Sequence, residues 1–295
     1  MAAQFAKVGL VVAGSSRAFA LTAVSYGQSV PGSYEAGTTA ATATPPESEE
    51  VRPDHIWSVD YVQFLWSDTG AVLLAPAQWD GQNWAYAGIA AAGIGAAAAL
   101  DQTIKSHVQA HRSAGADRFF SQYQNLGATW SFGLIGTFEV WGEAVGDTTA
   151  KNTAMDALTA SIIGPGLIGT SAKYAVGRVR PNSATSTFDF KPFSANQSFP
   201  SGHACQAFAV ATAISENYPA WWVRLLCYGG AGLVGYARIE QNAHYTSDVV
   251  AGAVLGWSVA RQVVHRHDDL PNPKRLSWTP YVTGNGGGLI FSKAF

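Results

Sequence analysis

From Ile56 to about Val264, apolar residues recur at three- and four-residue spacings, the period of helices with one buried face. Clusters of Gly, Pro and Asn interrupt this pattern and mark turns. The pattern predicts helices over 57–67, 84–112, 116–144, 152–179, 203–217, 221–236 and 246–265. Two stretches, Gly81 to Leu100 and Phe119 to Phe138, carry no charge. The first is mostly Ala and Gly with Gln82 and Asn83, and the second holds several Gln, Asn, Ser and Thr. Such segments suit close helix packing in water as well as in lipid, so the expectation is a soluble helical body rather than a multi-span membrane protein. No Rossmann or P-loop glycine pattern occurs, and no repeat of ~35 residues.

The two ends read differently. Residues 1–50 have the character of a leader and disordered linker. Lys7 precedes a short apolar run, Val8 to Gly14, and Ala18-Phe19-Ala20 is like a cleavage site, although Ser15-Ser16-Arg17 breaks the run. The stretch from Gly37 to Pro46, then Glu47-Ser48-Glu49-Glu50, is polar and low in complexity and is not expected to pack. Residues 51–270 are the helical domain. Pro271-Asn272-Pro273 ends the helices, and 271–295 is a Gly-rich, strand-like tail. Its alternation and final Phe295 are like the last strand of an outer-membrane barrel. One strand cannot close a barrel, so the expectation is a hairpin or tail packed on the helical body.

Charge sharpens the picture. Only 13% of the 295 residues are charged and the net charge is −2, which excludes a global field for nucleic acid or an acidic membrane. Any cluster of Lys, Arg and His therefore stands out. The two cysteines, Cys205 and Cys227, are too few for a disulfide framework and read as small buried apolar groups.

Three segments carry candidate chemistry. In Lys173-Tyr-Ala-Val-Gly-Arg-Val-Arg180-Pro181, a helix would place Lys173 and Arg180 on nearly one face. Gly177 would leave room for an anion between them, Arg178 would point elsewhere, and Pro181 would put Arg180 on a frayed end. In Phe199-Pro200-Ser201-Gly202-His203, Ser201 can cap the next helix. That helix offers unpaired N–H groups to an oxyanion, Gly202 permits close approach, and His203 stands at the mouth. In Arg238-x5-His244-x3-Asp248, the imidazole and carboxylate are one helical turn apart and can meet. A carboxylate on one ring nitrogen fixes the tautomer and makes the other nitrogen a better nucleophile. Arg238 adds a two-armed donor. Each segment alone is also compatible with an ordinary surface ion pair or a capped helix.

Taken in order, Lys-x6-Arg-Pro, Pro-Ser-Gly-His and Arg-x5-His-x3-Asp resemble the signature of the type-2 phosphatidic acid phosphatase family. Its superfamily also holds bacterial class A acid phosphatases and vanadium-dependent haloperoxidases. The resemblance covers 173–248. Ala237 stands where the family usually has Ser, and Asn182 and Ala204 depart from the acid phosphatase pattern. It implies an all-α helical bundle of the acid phosphatase and vanadium haloperoxidase type. It implies a phosphatase, independent of metal and of any cofactor, that hydrolyses phosphate monoesters or diphosphates of a lipid or small molecule. In the implied roles Lys173, Arg180 and Arg238 hold phosphate oxygens, with Ser201 and Gly202 completing the cradle. His244, oriented by Asp248, attacks phosphorus, and His203 protonates the leaving oxygen. Nucleic acid is not an expected partner, peripheral membrane contact is, and the expected location is the periplasm or cell envelope of a bacterium. The alternatives are a vanadium-dependent haloperoxidase, with His244 on vanadate, and a non-catalytic envelope anion-binding protein.

Other features read as structural. His107 and His111 have metal-ligand spacing but lie on a hydrophilic helix face. His265-Arg266-His267 reads as cations at a helix C-terminus, and Trp221-Trp222 as a helix start packed on the core.

Overall fold

The computed structural model describes residues 9–15, 18–24, 50–270, 277–283 and 286–292. They fall into two compact units: one from the chain ends, Met1–Arg52 with Leu270–Phe295, and one over Pro53–Asp269. In the first unit, β1 (Gly9–Ser15), β2 (Ala18–Val24), β3 (Ser277–Thr283) and β4 (Gly286–Ser292) form an antiparallel sheet of order β2-β1-β4-β3. The segment read as leader thus supplies two of its strands, joined to the tail hairpin where Leu10 pairs with Phe291. The low-complexity stretch from Gly37 to Glu49 lies outside the described residues.

The second unit is all-α, as expected. Its helices are α1 (Val59–Leu74), α2 (Gly81–Ala110), α3 (Ala114–Tyr123), α4 (Thr129–Val145), α5 (Thr148–Ser161), α6 (Thr170–Val176), α7 (Gly202–Asn217), α8 (Trp221–Glu240) and α9 (Thr246–Asp269). Their starts are encoded locally. Ser58, Asp80, Ser113, Asp147 and Ser201 each cap a helix by accepting a backbone N–H of its first turn. The helix expected over 116–144 is two helices separated by a tight turn at Gln124–Gly127. The one expected over 152–179 widens into π-type turns at Ile162–Gly169. Pro165 sits inside those turns, where it has no N–H to give the helix ladder.

α7 is the hub. Its Ala209, its Val210, Ala213 and Ile214, and its Ala207 and Ala211 enter three separate apolar clusters. A helix buried all round must present small side chains, and α9 presses against it along a glycine seam. A Cβ on Gly252 would lie 2.3 Å from the Ser201 carbonyl oxygen, and one on Gly256 2.1 Å from that of Cys205. Any larger residue there would force the helices apart. This contact seats the start of α7, with Ser201 and His203, beside Asp248 in the first turn of α9. Both cysteines are free, Cys205 buried and Cys227 partly so.

Two structural readings change. His267 is not a solvated cap: it is 3% exposed, with Nδ1 2.5 Å from Asp156 Oδ1 and Nε2 2.9 Å from Asp68 Oδ2. His267 is on the inward side of the last turn of α9, and the carboxylates of α1 and α5 compensate the buried ring. Trp221 and Trp222, in the first turn of α8, are exposed, 75% and 54%, rather than packed on the core.

Candidate active site

The Lys173–Pro181 segment does not form one helical face. α6 stops at Val176, and Gly177 follows in the left-handed region with φ 58°. Its N–H bonds the Lys173 carbonyl at 2.9 Å, a glycine-terminated helix end. The chain then pairs with the 189–191 stretch: Lys191 N–H donates to Gly177 O and Val179 N–H to Asp189 O, both at 2.9 Å. A Cβ on Gly177 would sit 1.8 Å from Lys191 O. Gly177 therefore serves a turn and a close backbone contact, not a ligand. Lys173 and Arg180 still approach each other, from the two sides of that turn, and the positive charge of Arg180 depresses the Lys173 ammonium.

The second segment meets the first. Gly202 starts α7, and a Cβ there would be 3.6 Å from Lys173 Cε and 3.9 Å from Nζ. Lys173 Nζ also donates to Gln197 O at 2.8 Å. Ser201 is fully buried, caps α7, and donates its own N–H to the Asp248 carbonyl at 2.9 Å. Arg180 is exposed and lines a shallow depression with Val179, Ser183, Ala195, Asn196 and Gln197.

The third segment completes the group. Arg238, on the last turn of α8, is 7% exposed. Its Nη1 donates to Gln124 Oε1 and, at 3.2 Å, to Gln241 Oε1. Its Nε is buried without an acceptor, a donor that an anion would satisfy. His244 precedes α9 and is 3% exposed. The sequence suggests a carboxylate as its partner. The short bond is instead from Nδ1 to the Ser198 carbonyl at 2.7 Å, with Asp248 Oδ2 farther off at 3.7 Å. A carbonyl only accepts, so Nδ1 carries the proton and Nε2 keeps its lone pair.

Asp248 holds this arrangement. Its Oδ2 accepts from Ser198 Oγ at 2.6 Å and from Tyr245 N–H at 2.9 Å, and its Oδ1 from Arg178 Nη1 at 2.7 Å. The same carboxylate thus fixes the start of α9 and the segment whose carbonyl orients His244. Burial alone would raise its pKa, but the contacts with His244, Arg178 and Ser198 hold it below the usual range.

Four residues here were not singled out by sequence: Asp101, Thr187, Ser198 and Ser247; Arg178 was read only as pointing elsewhere. Arg178 does point away from the anion site, but into a buried pair. Its Nη2 donates to Asp101 Oδ2 at 2.8 Å and to Thr187 O at 2.6 Å, and its Nη1 to Ser247 Oγ at 2.7 Å. The one sequence signal for Asp101 is that it is the first charge after the uncharged run of α2.

The electrostatics follow from burial among cations. Burial first, then neighbouring Arg238, His244, Lys173 and Arg180, pushes the His203 imidazole down to about 4. Burial likewise brings His244 down to about 4 against the pull of Asp248. Lys173 falls to about 8 and Arg238 to about 10, each from burial and then the charge of Arg180. The arrangement is thus two neutral imidazoles beside three cations, an environment that favours an oxyanion and activates a ring nitrogen.

Residues 154–271 match the family model described as the PAP2 superfamily. This is the grouping that the three motifs resemble, and all three lie within the matched stretch. The chain is 30% identical over 172 residues to lipid A 1-phosphatase of Porphyromonas gingivalis, covering 55% of this chain and 34% of that protein. It is 34% identical over 92 residues to undecaprenyl-diphosphatase of Sulfolobus acidocaldarius, covering 30% of this chain and 44% of that protein. The chain therefore spans between a third and a half of the length of these curated relatives. A solved PAP2 structure, the transmembrane phosphatidylglycerolphosphate phosphatase of Bacillus subtilis, is 18% identical with a TM-score of 0.47, covering 72% of this chain and 96% of that one.

Proposed function

We propose that this protein is a metal-independent phosphatase that hydrolyses a phosphate monoester or diphosphate of a lipid through a phosphohistidine. The observation that carries the reading is the His244 tautomer: Nδ1–H is held by Ser198 O, which leaves the lone pair on Nε2, and Lys173 and Arg238 lie close enough to disfavour its protonation. Lys173, Arg180 and Arg238 bind the phosphate oxygens, helped by Ser201 and the unpaired N–H of Gly202 at the start of α7. The Nε2 lone pair attacks phosphorus, the bond to the leaving oxygen breaks, and His203 gives that oxygen a proton. The oxyanions of the bound phosphate raise the proton affinity of His203, offsetting the cations that depress it in the free site. Water then attacks the phosphorus, His203 takes its proton, and the P–N bond breaks to return the electron pair to Nε2.

A lipid substrate fits two features. Two curated relatives are named for lipid phosphates, lipid A 1-phosphatase and undecaprenyl-diphosphatase. Among the described residues α2 is the one helix long and apolar enough to cross a membrane, and only 6% of its apolar window is buried. Trp84, Tyr86, Ile89 and Leu100 on it are more than half exposed. A soluble core helix would hide that surface, so α2 is read as the segment that meets the bilayer, in the cell envelope, in place of the soluble body expected from hydropathy.

Hydrolysis of para-nitrophenyl phosphate and of a panel of lipid phosphates tests the proposal. Activity that survives exhaustive chelation and is blocked by vanadate is expected. Bromide oxidation on adding vanadate, without phosphatase activity, would instead make it a haloperoxidase. The pH profile is a second prediction. As pH falls through about 4 the His244 nucleophile becomes protonated, and kcat/KM drops. As pH rises through about 8 Lys173 loses its charge, and kcat/KM drops again. Lys173→Arg removes the alkaline loss, because a guanidinium stays charged there; an unchanged alkaline limb would take Lys173 out of the phosphate site.

A further inference from the structure

Outside the three motifs, the segment before α1 and the facing ends of α4 and α5 bring together His55, Glu139, Glu143 and Lys151. Glu139 and Glu143 are one turn apart on α4, and Lys151 lies in the first turn of α5. One ring nitrogen of His55 and one oxygen of each carboxylate lie within 4.8 Å of one another. Glu143 Oε1 is 2.6 Å from His55 Nδ1 and 2.6 Å from Lys151 Nζ, and Nζ is 3.4 Å from Nδ1. A carboxylate only accepts, so the Nδ1–H of His55 and the Lys151 ammonium both donate to Glu143. Glu139 is 2% exposed; its carboxylate takes a backbone hydrogen bond from Ile56, but its Oε1 has no hydrogen-bond partner. A buried carboxylate oxygen without a donor is rare in a folded protein and calls for an unseen partner.

We propose that His55, Glu139 and Glu143 form a binding site for a divalent transition-metal ion, Zn²⁺ in the first instance. One imidazole and two carboxylates are three protein donors of the kind zinc takes, with a fourth position left to water. The imidazole disfavours Mg²⁺ and Ca²⁺, which prefer oxygen alone. Stacking on Trp57, with ring centroids 5.1 Å apart, fixes the plane of the His55 ring. Lys151 acts as the competitor. Its ammonium occupies the shared corner and moves out when the ion arrives. No ligand belongs to the anion site, so the ion ties the segment before α1 to α4, and this proposal does not rest on the phosphatase reading.

The test is calorimetric titration of Zn²⁺ into the full chain after chelation, near pH 7.5. One saturable site per chain is expected, unaffected by millimolar Mg²⁺. His55→Ala and Glu139→Gln each weaken it by about tenfold or more, and Lys151→Met tightens it. Saturating Zn²⁺ raises the melting temperature of the wild type and not of these two weakened variants. If Glu139→Gln fails to fold, His55→Ala carries the test, since its side chain is 38% exposed. No saturable binding by the wild type, or binding that both variants retain unchanged, overturns the proposal.

Discussion

Replacing His244 with alanine is expected to lower phosphate release by about 10⁴-fold or more, the scale set by loss of a covalent nucleophile. The size of the effect follows from what the rest of the site can do without it. Lys173, Arg180 and Arg238 still gather the oxyanion, so binding of vanadate or phosphate is expected to persist near the wild-type level. The remaining imidazole, His203, is on α7 and is assigned to the leaving oxygen; it cannot also attack from the far side. In wild-type protein mixed with a phosphate-labelled substrate and quenched in alkali, label is expected on the denatured chain, stable to base and lost in acid. In His244→Ala that label is expected to vanish. A helical circular dichroism spectrum like that of the wild type shows that the fold survives. Full turnover by this variant would end the phosphohistidine reading, and retained label would move the nucleophile elsewhere.

The residues of the proposed anion site could be picked out because the chain is so sparingly charged. Lys173, Arg180, Arg238 and both imidazoles stand out against Ala and Gly, and their order along the chain resembles one family. The local devices were legible too: Ser201 reads as a cap and is one. What could not be read is whatever depends on a backbone carbonyl or on distant pairing. His244 takes its proton partner from Ser198 O, 46 residues away, and a carbonyl leaves no trace in side-chain identity. His267 looked like a terminal cation because Asp156 and Asp68 lie 111 and 199 residues away. Gly177 looked like a space for ligand because the strand-like return at 189–191 that crowds it is set by tertiary pairing. The exposure of Trp221 and Trp222 was hidden for a related reason: apolar periodicity shows that a face avoids water, not whether protein or lipid covers it.

Arg178→Met is expected to destabilise the helical unit by about 3–5 kcal/mol, the cost of breaking a buried ion pair from one side. The guanidinium is 2% exposed and joins two carboxylates, Asp101 and Asp248, that are themselves buried. It also lies 4.2 Å from the centre of the Tyr245 ring, so its plane is held as well as its charge. Removing it leaves two buried carboxylates to find protons or water. Arg178→Lys is expected to recover little, because one ammonium cannot reproduce the fork that reaches Asp248, Ser247, Asp101 and Thr187 at once. Asp101→Asn on top of Arg178→Met removes one orphaned charge and is expected to restore part of the loss, giving a coupling energy measurable in a double-mutant cycle. Asp101 also accepts the Ser247 N–H at 2.9 Å at the start of α9, which caps the incomplete recovery. Thermal unfolding of the four proteins measures the cycle. Additive effects within about 0.5 kcal/mol would mean that α2 and α9 are not coupled through Arg178. Residual activity separates the two functions of the network. If Asp248 orients the Ser198–His244 pair, kcat of folded Arg178→Met falls while KM changes little, because none of the cations proposed to bind phosphate has moved.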